Sequence, residues 1–457
     1  MYKALAAAVL FAGPLVSAVA QPIVLDGAFD DWDSAELESE FHVEDPRGDS
    51  TGTFDVLELS GGLEGQTLLL DLRLATALNL QSGPEEHGTL VLTIGLGDGR
   101  ELSIDFRGRQ ALLDGEPLSW TALRFEALPT YASDRQELRL DLGGVGWPGT
   151  DQLTIGVSGS DSVEAVVLHP EAATSRPATA PAEGPLLPDA PASAGSFRHA
   201  NMNVLWDGLA DAERGPKLAR LIAAADADVM TFQEAIAQAD QDEPNPAAAS
   251  AGTAAVLEQR VGGRWNAVAD GRGCAVVSRH PLRAVPLGEE VRGAAAIVDL
   301  PGDAPDPIVV SVHLKCCGYA GNKDDDRRVE QVTALARALR PLRDHHPIVI
   351  AGDYNLVGSS RPLDVLTGPA LELRDLVPLQ AIDGSATRWR GLSDEESFWP
   401  GRLDLITYSA SLKPTTKLIL DAAELPAAEL QRLKLQPDDS LGSDHLLLVA
   451  DFERDRE

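Results

Sequence analysis

"IVIAGDYNLVG", residues 348–358, joins an apolar run to a pair of polar side chains. Ile348 to Ala351 are continuously hydrophobic and stop at Gly352, the pattern of a short strand buried on both faces. Asp353 and Asn355 then follow two positions apart. Polar groups at the end of a buried strand need partners, because an unpaired one in an apolar interior costs free energy. Working outward, "FRHANMNVLW" (197–206), "DVMTFQEA" (228–235), "CAVVSRHP" (274–281), "IVVSVHLK" (308–315), "RLDLITYS" (402–409) and "LLLVADFE" (446–453) read as further strands. "GPKLARLIAAAD" (215–226) has Pro216 early and apolar residues at helical spacing, and a long amphipathic helix is expected from about Asp325 to Leu342. Apolar strands alternating with helices predict an α/β domain whose sheets are covered by helices.

Before residue 171 the pattern differs. "TLLLDLRLA" (67–75), "GTLVLTIGLGDG" (88–99), "ELSIDFRG" (101–108), "QLTIGVSG" (152–159) and "AVVLHP" (165–170) are short apolar segments separated by Gly and Asp turns, which predicts an all-β sandwich. Residues 171–195 are rich in Pro, Ala and small polar residues without apolar period and read as a linker. At the start, Lys3 precedes a short apolar core that ends in Ala18-Val19-Ala20, which reads as a secretory signal over residues 1–20 cut before Gln21. The expected organisation is therefore a signal peptide (1–20), a β-sandwich (21–170), a linker (171–195) and an α/β domain (196–457) in a secreted or periplasmic protein with no transmembrane anchor.

The chain has 457 residues, 44% of them hydrophobic, enough for two or three domains with real cores. Its formal net charge is −33. Residues 1–195 carry 10 basic and 31 acidic side chains, net −21, and residues 196–457 carry 28 and 40, net −12. Such a field repels polyanions, although salt screens it beyond ~10 Å. Nucleic acid as a tightly held partner is disfavoured, except where a bound cation compensates locally. Cys274, Cys316 and Cys317 are too few for a disulfide scaffold, and one pair could bridge in an oxidising compartment.

Asn203, Glu234, His313, Asp353, Asn355, Asp404, Asp444 and His445 all fall where predicted strands stop. Each alone has an ordinary reading: a cap, a turn, a helix start, a satisfied core histidine. Together they would be costly to bury unless a cation or an anionic ligand compensates them.

The stretches "NMNVLW" (201–206), "MTFQEA" (230–235), "GCAVVSRHPL" (273–282), "SVHLK" (311–315), "AGDYNL" (351–356), "GRLDLITY" (401–408) and "SDHLLLVADF" (443–452) resemble, in order, the motifs of the endonuclease/exonuclease/phosphatase superfamily, which includes pancreatic-type deoxyribonucleases, abasic-site endonucleases, inositol-polyphosphate 5-phosphatases and secreted sphingomyelinases. The resemblance implies a four-layer fold, two β-sheets packed together with helices outside, and a phosphoester-hydrolase site that uses Mg²⁺ or Mn²⁺. It further implies Glu234 as principal metal ligand, with Asn203 orienting that shell and contacting phosphate, and Asp444 completing a metal or water site. His445 would be general base or transition-state partner, held by Asp404; His313 and Asn355 would donate to phosphate oxygens; Asp353 would hold the attacking water or the leaving oxygen.

Some features depart from the resemblance. Leu205 stands where abasic-site endonucleases carry an acid, and His313 where they carry tyrosine, which points to the deoxyribonuclease, sphingomyelinase or phosphatase branches. Cys274 stands in a slot often held by asparagine. "KCCGYAGNKDDD" (315–326) reads as a substrate-facing loop or one pinned by a bond from Cys316 or Cys317 to Cys274. Asp324 to Asp326 are expected to begin the next helix, where negative charge suits the dipole, and Arg327 and Arg328 to be solvated or to touch substrate. "IVLDGAFDDWDSA" (23–35) and "HVEDPRGDSTGTFDVLEL" (42–59) loosely resemble DOMON-like or family 9 carbohydrate-binding modules, with Asp26, Gly27 and Trp32 as landmarks. In that sandwich Asp45, Asp49 and Asp55 are candidate Ca²⁺ ligands, and a glycan or protein contact is a further expectation.

Three functions are consistent with these features. The leading one is a secreted Mg²⁺-dependent phosphodiesterase or nuclease-like hydrolase. The second is a phosphomonoesterase, or a lipid phosphodiesterase acting on phospholipid head groups. The third, of another class, is a non-catalytic glycan- or protein-binding protein built on the same scaffold.

Overall fold

A computed structural model describes residues 23–32, 40–81, 88–170, 185–191, 195–235, 244–380 and 399–454. The expected signal peptide lies outside these residues, as does most of the expected linker. No helix among the described residues is long and apolar enough to cross a membrane.

The N-terminal part is the expected sandwich of two antiparallel sheets. One has five strands in the order Glu40–Glu44, Val56–Glu64, Thr67–Leu78, Ser133–Asp141 and Glu126–Leu128; the other has six, Val163–Leu168, Leu153–Gly159, Leu90–Gly95, Glu101–Asp105, Gln110–Leu113 and Glu116–Leu118. Alternation sets their facing: in the strand Leu90–Gly95, Leu90, Leu92 and Ile94 are buried and the residues between them are only partly covered. The landmarks Asp26, Gly27 and Trp32 converge on one side chain. Glu137 accepts from the backbone N–H groups of Asp26 (2.7 Å) and Gly27 (2.5 Å) and from the Trp32 indole (3.1 Å).

The α/β part holds two sheets face to face. In one, seven strands run in the order Asn266–Ala269, Ala275–Ser278, Val229–Gln233, Ser196–Asn203, Leu447–Arg454, Leu412–Leu420 and Leu379–Gln380. In the other, six run Leu282–Ala284, Gly293–Val298, Ile308–His313, Ile348–Asp353, Asp404–Tyr408 and Arg374–Leu376. Helices Arg214–Ala225 and Pro246–Arg260 cover the first, and helices Lys323–Leu339 and Arg361–Thr367 the second. The result is the four-layer arrangement.

Strand parity explains what reaches the space between the sheets. In Ile348–Asp353, Val349 and Ala351 enter the layer shared by both sheets, while Ile348 and Ile350 pack under helices. Asp353 shares the parity of the first pair, so it enters the inter-sheet layer at its open end. Phe197 fixes the same parity for Asn201 and Asn203, and Val309 for His313. Beneath the open end the layer turns polar. Gln233 donates to Asn201 Oδ1 (3.0 Å) and Ser311 Oγ (2.9 Å), and Thr231 donates to Asn201 Oδ1 (2.8 Å), which ties one sheet to the other.

The two parts share a core. Trp399, from the C-terminal part, is wholly buried among sandwich residues, with ring centroids 4.6 Å from Trp120, 4.8 Å from Phe125 and 5.7 Å from Phe106. Its backbone is clamped by the Gln81 amide, which donates to the Trp399 carbonyl (2.9 Å) and accepts from its N–H (3.0 Å). Asn79 likewise donates to the Val357 carbonyl (2.6 Å) and accepts from Ala320 N–H (2.9 Å). Leu187, inside the expected linker, is buried in the core beneath helix Arg214–Ala225.

With an indole shared in this way, the parts are expected to unfold in one calorimetric transition. Trp399→Ala should lower stability by about 3–5 kcal/mol, the range for emptying a large aromatic site. Two well-separated transitions unaffected by the substitution would refute the shared core.

Candidate active site

Asp353 is at the centre of the polar cluster. One of its oxygens accepts from the Asn355 backbone N–H (3.0 Å), while the other faces the Asn203 amide (3.4 Å), His313 Nε2 (3.5 Å) and His445 Nε2 (4.0 Å). The Asn203 amide also donates to Glu234 Oε1 (3.1 Å), so one amide group bridges the two carboxylates. Glu234 Oε2 accepts from Trp206 N–H (2.9 Å). Burial, strengthened by the charges of Asp404 and Glu234 and opposed by His445, pushes the Asp353 carboxyl up to about 7.

Glu234 reaches the cluster against its strand's parity. Its φ of +56° ends the strand and turns the side chain inward. Leu205, Trp206 and Asp207 opposite it are also left-handed, with φ of +48°, +43° and +59°. Such conformations cost a non-glycine residue on the order of 1–3 kcal/mol and concentrate at functional sites. Here they are held by Asp207 N–H on the Glu234 carbonyl (2.8 Å) and by Arg214 on the Leu205 carbonyl (2.7 Å).

His445 Nδ1 meets Asp404 Oδ2 at 2.5 Å, and Asp404 is fully buried. This contact fixes the ring and turns Nε2 toward Asp353 and Asp444 (3.9 Å). Burial alone would lower the His445 pKa, but Asp404, then Asp444 and Asp353, outweigh it and raise it to about 10. His313 goes the other way: burial, with Arg292 and His445 adding to it, takes its pKa well below the usual imidazole value. Asn355 gives one amide hydrogen to the Leu314 carbonyl (3.3 Å).

All eight residues singled out from the sequence thus meet at one end of the two sheets. Six of them, Glu234, His313, Asp353, Asn355, Asp444 and His445, line a cavity of about 450 Å³, with Asn203 and Asp404 hydrogen-bonded to them. The donor set fits a small hard cation, since Glu234 and Asp353, joined through the Asn203 amide, both offer carboxylate oxygens to the cavity and Mg²⁺ takes one or two carboxylates and keeps its waters. The cavity has further walls, one of which sequence reading did not find. Cys316 and Cys317 come from the loop after His313, which was expected to face substrate, whereas Gln81 and Arg109 come from the sandwich and were not foreseen. Contact between separate domains leaves no periodic signal in a sequence.

Other expectations need correction. In the sandwich, Asp45 and Asp49 lie with Asp161, not Asp55: the three carboxylates offer oxygens within 4.8 Å of one another, whereas both Asp55 oxygens accept from Gly48 N–H (3.0 Å each). All three cysteines are free; Cys274 is buried in the inter-sheet layer while Cys316 and Cys317 are exposed, so no bond joins them. Arg328 is neither solvated nor set to touch substrate. It is fully buried, donating to the Lys315 and Cys317 carbonyls (2.8 Å each) and to Asp325 (3.3 Å), so it shapes the loop from below. Arg327 is on the surface with Glu330. Asp324 to Asp326 do occupy the first helical turn, after the Asn322 cap.

Residues 200–445 match the family model described as Endonuclease/Exonuclease/phosphatase family. A search of curated proteins found no match. Among solved structures, the chain is similar to a humanized D. rerio TDP2 (15% identity, 57% of this chain and 100% of that one, TM-score 0.39). It is also similar to the human Nocturnin catalytic domain with bound sulfate anion (20%, 57% and 95%, 0.38) and to ANGEL2, a 2′,3′-cyclic phosphatase, in complex with adenosine-2′,3′-vanadate (18%, 57% and 96%, 0.38). The family match begins at residue 200, so the sandwich's resemblance to DOMON-like modules rests on its sequence.

The Asp404 contact makes a specific titration expected. In metal-free protein the His445 ring should keep its proton above pH 8, and Asp404→Asn should lower its pKa by at least about one unit, since burial is then less opposed. An NMR titration of the ring that is the same in both proteins would remove Asp404 from this role.

Proposed function

This chain belongs to the Endonuclease/Exonuclease/phosphatase family, and from that premise we propose that it is a divalent-metal-dependent phosphodiesterase. The observation that carries this reading is the meeting of Glu234, Asn203, Asp353 and the Asp404–His445 pair around one cavity. Glu234 would hold the cation, Asn203 orients that carboxylate, and Asp444, which also lines the cavity, would complete a metal or water site. When bound, Mg²⁺ or Mn²⁺ polarises a phosphoryl oxygen and steadies charge on the leaving group. His445, fixed through Nδ1 by Asp404, handles a proton at Nε2. Asp353 holds the attacking water or the leaving oxygen. His313 and the second amide hydrogen of Asn355 face the phosphoryl oxygens, where charge develops.

The test is hydrolysis of bis(p-nitrophenyl) phosphate with and without Mg²⁺ or Mn²⁺. Glu234→Gln and His445→Ala should each lose roughly 10³-fold in kcat/KM, and EDTA should abolish a rate that added metal restores. Wild-type rates in either variant would overturn the mechanism. p-Nitrophenyl phosphate assayed alongside separates a monoesterase, which would be the faster reaction there.

The compartment we propose, periplasmic or secreted, rests on residues 1–20 alone. N-terminal sequencing of protein recovered outside the cytoplasm should begin at Gln21; an intact Met1 there would exclude processing.

A further inference from the structure

The sandwich forms one wall of the catalytic cavity. We propose that its Arg109 reads a second anionic group on the substrate, most simply a second phosphate, held in the same cavity as the phosphoester being cleaved. This rests on the phosphodiesterase reading of the same site and adds the class of substrate: a small phosphoester carrying another phosphate.

Three observations converge on Arg109. It lines the cavity with Glu234, Asp353 and His445, and among the described lining residues it supplies the one guanidinium or ammonium. The cavity, about 450 Å³, is of the size that takes one small ligand. Finally, Arg109 is held in place. It ends the turn between strands Glu101–Asp105 and Gln110–Leu113, where Asp105 Oδ1 accepts from Arg107 N–H and Gly108 N–H (2.9 Å each).

Its own backbone is left-handed, with φ of +52°, a position where such turns favour glycine or asparagine. An arginine there spends backbone strain to put a long cationic side chain at one point. Its Nη1 donates to the Gln81 carbonyl (2.6 Å), and the Gln81 amide is in turn clamped to Trp399. Phe106, three residues back in the same turn, packs on the Trp399 ring. The guanidinium is thus tied to the catalytic part by the shared core rather than swinging on a free loop. In a chain of net charge −33, whose cavity is also lined by three carboxylates, a second anionic group needs such a fixed cation.

The test compares matched diesters with and without a terminal phosphate. One pair is thymidylyl-thymidine and its 5′-phosphorylated form; the other is glycerophosphoglycerol and its terminally phosphorylated form, which separates a nucleotide source from a glycerol phosphate one. Wild type should prefer the phosphorylated member of at least one pair by roughly tenfold or more in kcat/KM, the scale of a charge-assisted hydrogen bond. Arg109→Gln should erase that preference while leaving the unphosphorylated member within about twofold, and Arg109→Lys should retain part of it. No preference in wild type for either pair, or one that survives in Arg109→Gln with an unchanged thermal midpoint, would overturn the proposal. Failure to cleave any of the diesters overturns the phosphodiesterase reading instead. Arg109 is then judged by inorganic pyrophosphate binding, where equal affinity in wild type and Arg109→Gln overturns its role and a tenfold loss supports it.

Discussion

Two carboxylates on two different sheets, Glu234 and Asp353, are brought together by one amide, that of Asn203. Like charges repel, and burial raises the cost of ionising Asp353. The chain offsets this with neutral donors, Asn203 between them, the Trp206 and Asn355 backbone N–H groups behind them and the His313 imidazole alongside, and with the protonated imidazole of His445. The donors come from both sheets, so the cluster exists only while the sheets keep their register. The hydrogen bonds of Gln233, Asn201, Thr231 and Ser311 between the sheets secure that register just below the site. A divalent cation entering there would meet an electrostatic deficit already built into the fold.

The opposite behaviour of the two histidines follows from their neighbours. Both are buried, and burial disfavours the charged form of each. His445 is hydrogen-bonded to a buried carboxylate and keeps its proton; His313 has Arg292 nearby and loses it. One imidazole is therefore a cation at neutral pH and the other a neutral ring, which lets them face the same carboxylate with different chemistry.

Much of this was legible in the sequence, because strand ends are local features. The apolar runs, the glycine before Asp353 and the polar residues at each stop put the eight site residues at strand termini, and strand parity directs Asn203, His313 and Asp353 inward. Glu234 is less direct: its orientation depends on a backbone turn that parity would not give. Arg328 was misread because a charged residue on an amphipathic helix normally faces water, whereas here three polar contacts from a loop and Asp325 keep it buried. The third acidic group beside Asp45 and Asp49 comes from a residue more than a hundred positions away, and Asp55 is occupied by a local turn. Trp399 and Arg109 were invisible for a related reason. Each acts on a part of the chain distant in sequence, and nothing periodic marks such a meeting.

The burial of Trp399 inside the sandwich bears on how such a protein can change over generations. A stand-alone binding module can be gained, lost or exchanged by recombination at its linker with little effect on its neighbour. Here a crossover at the linker would leave an apolar hole in one product and a bare indole on the other. The two halves are expected to pass between lineages as a single heritable unit, with substitutions around the indole compensating one another across the junction.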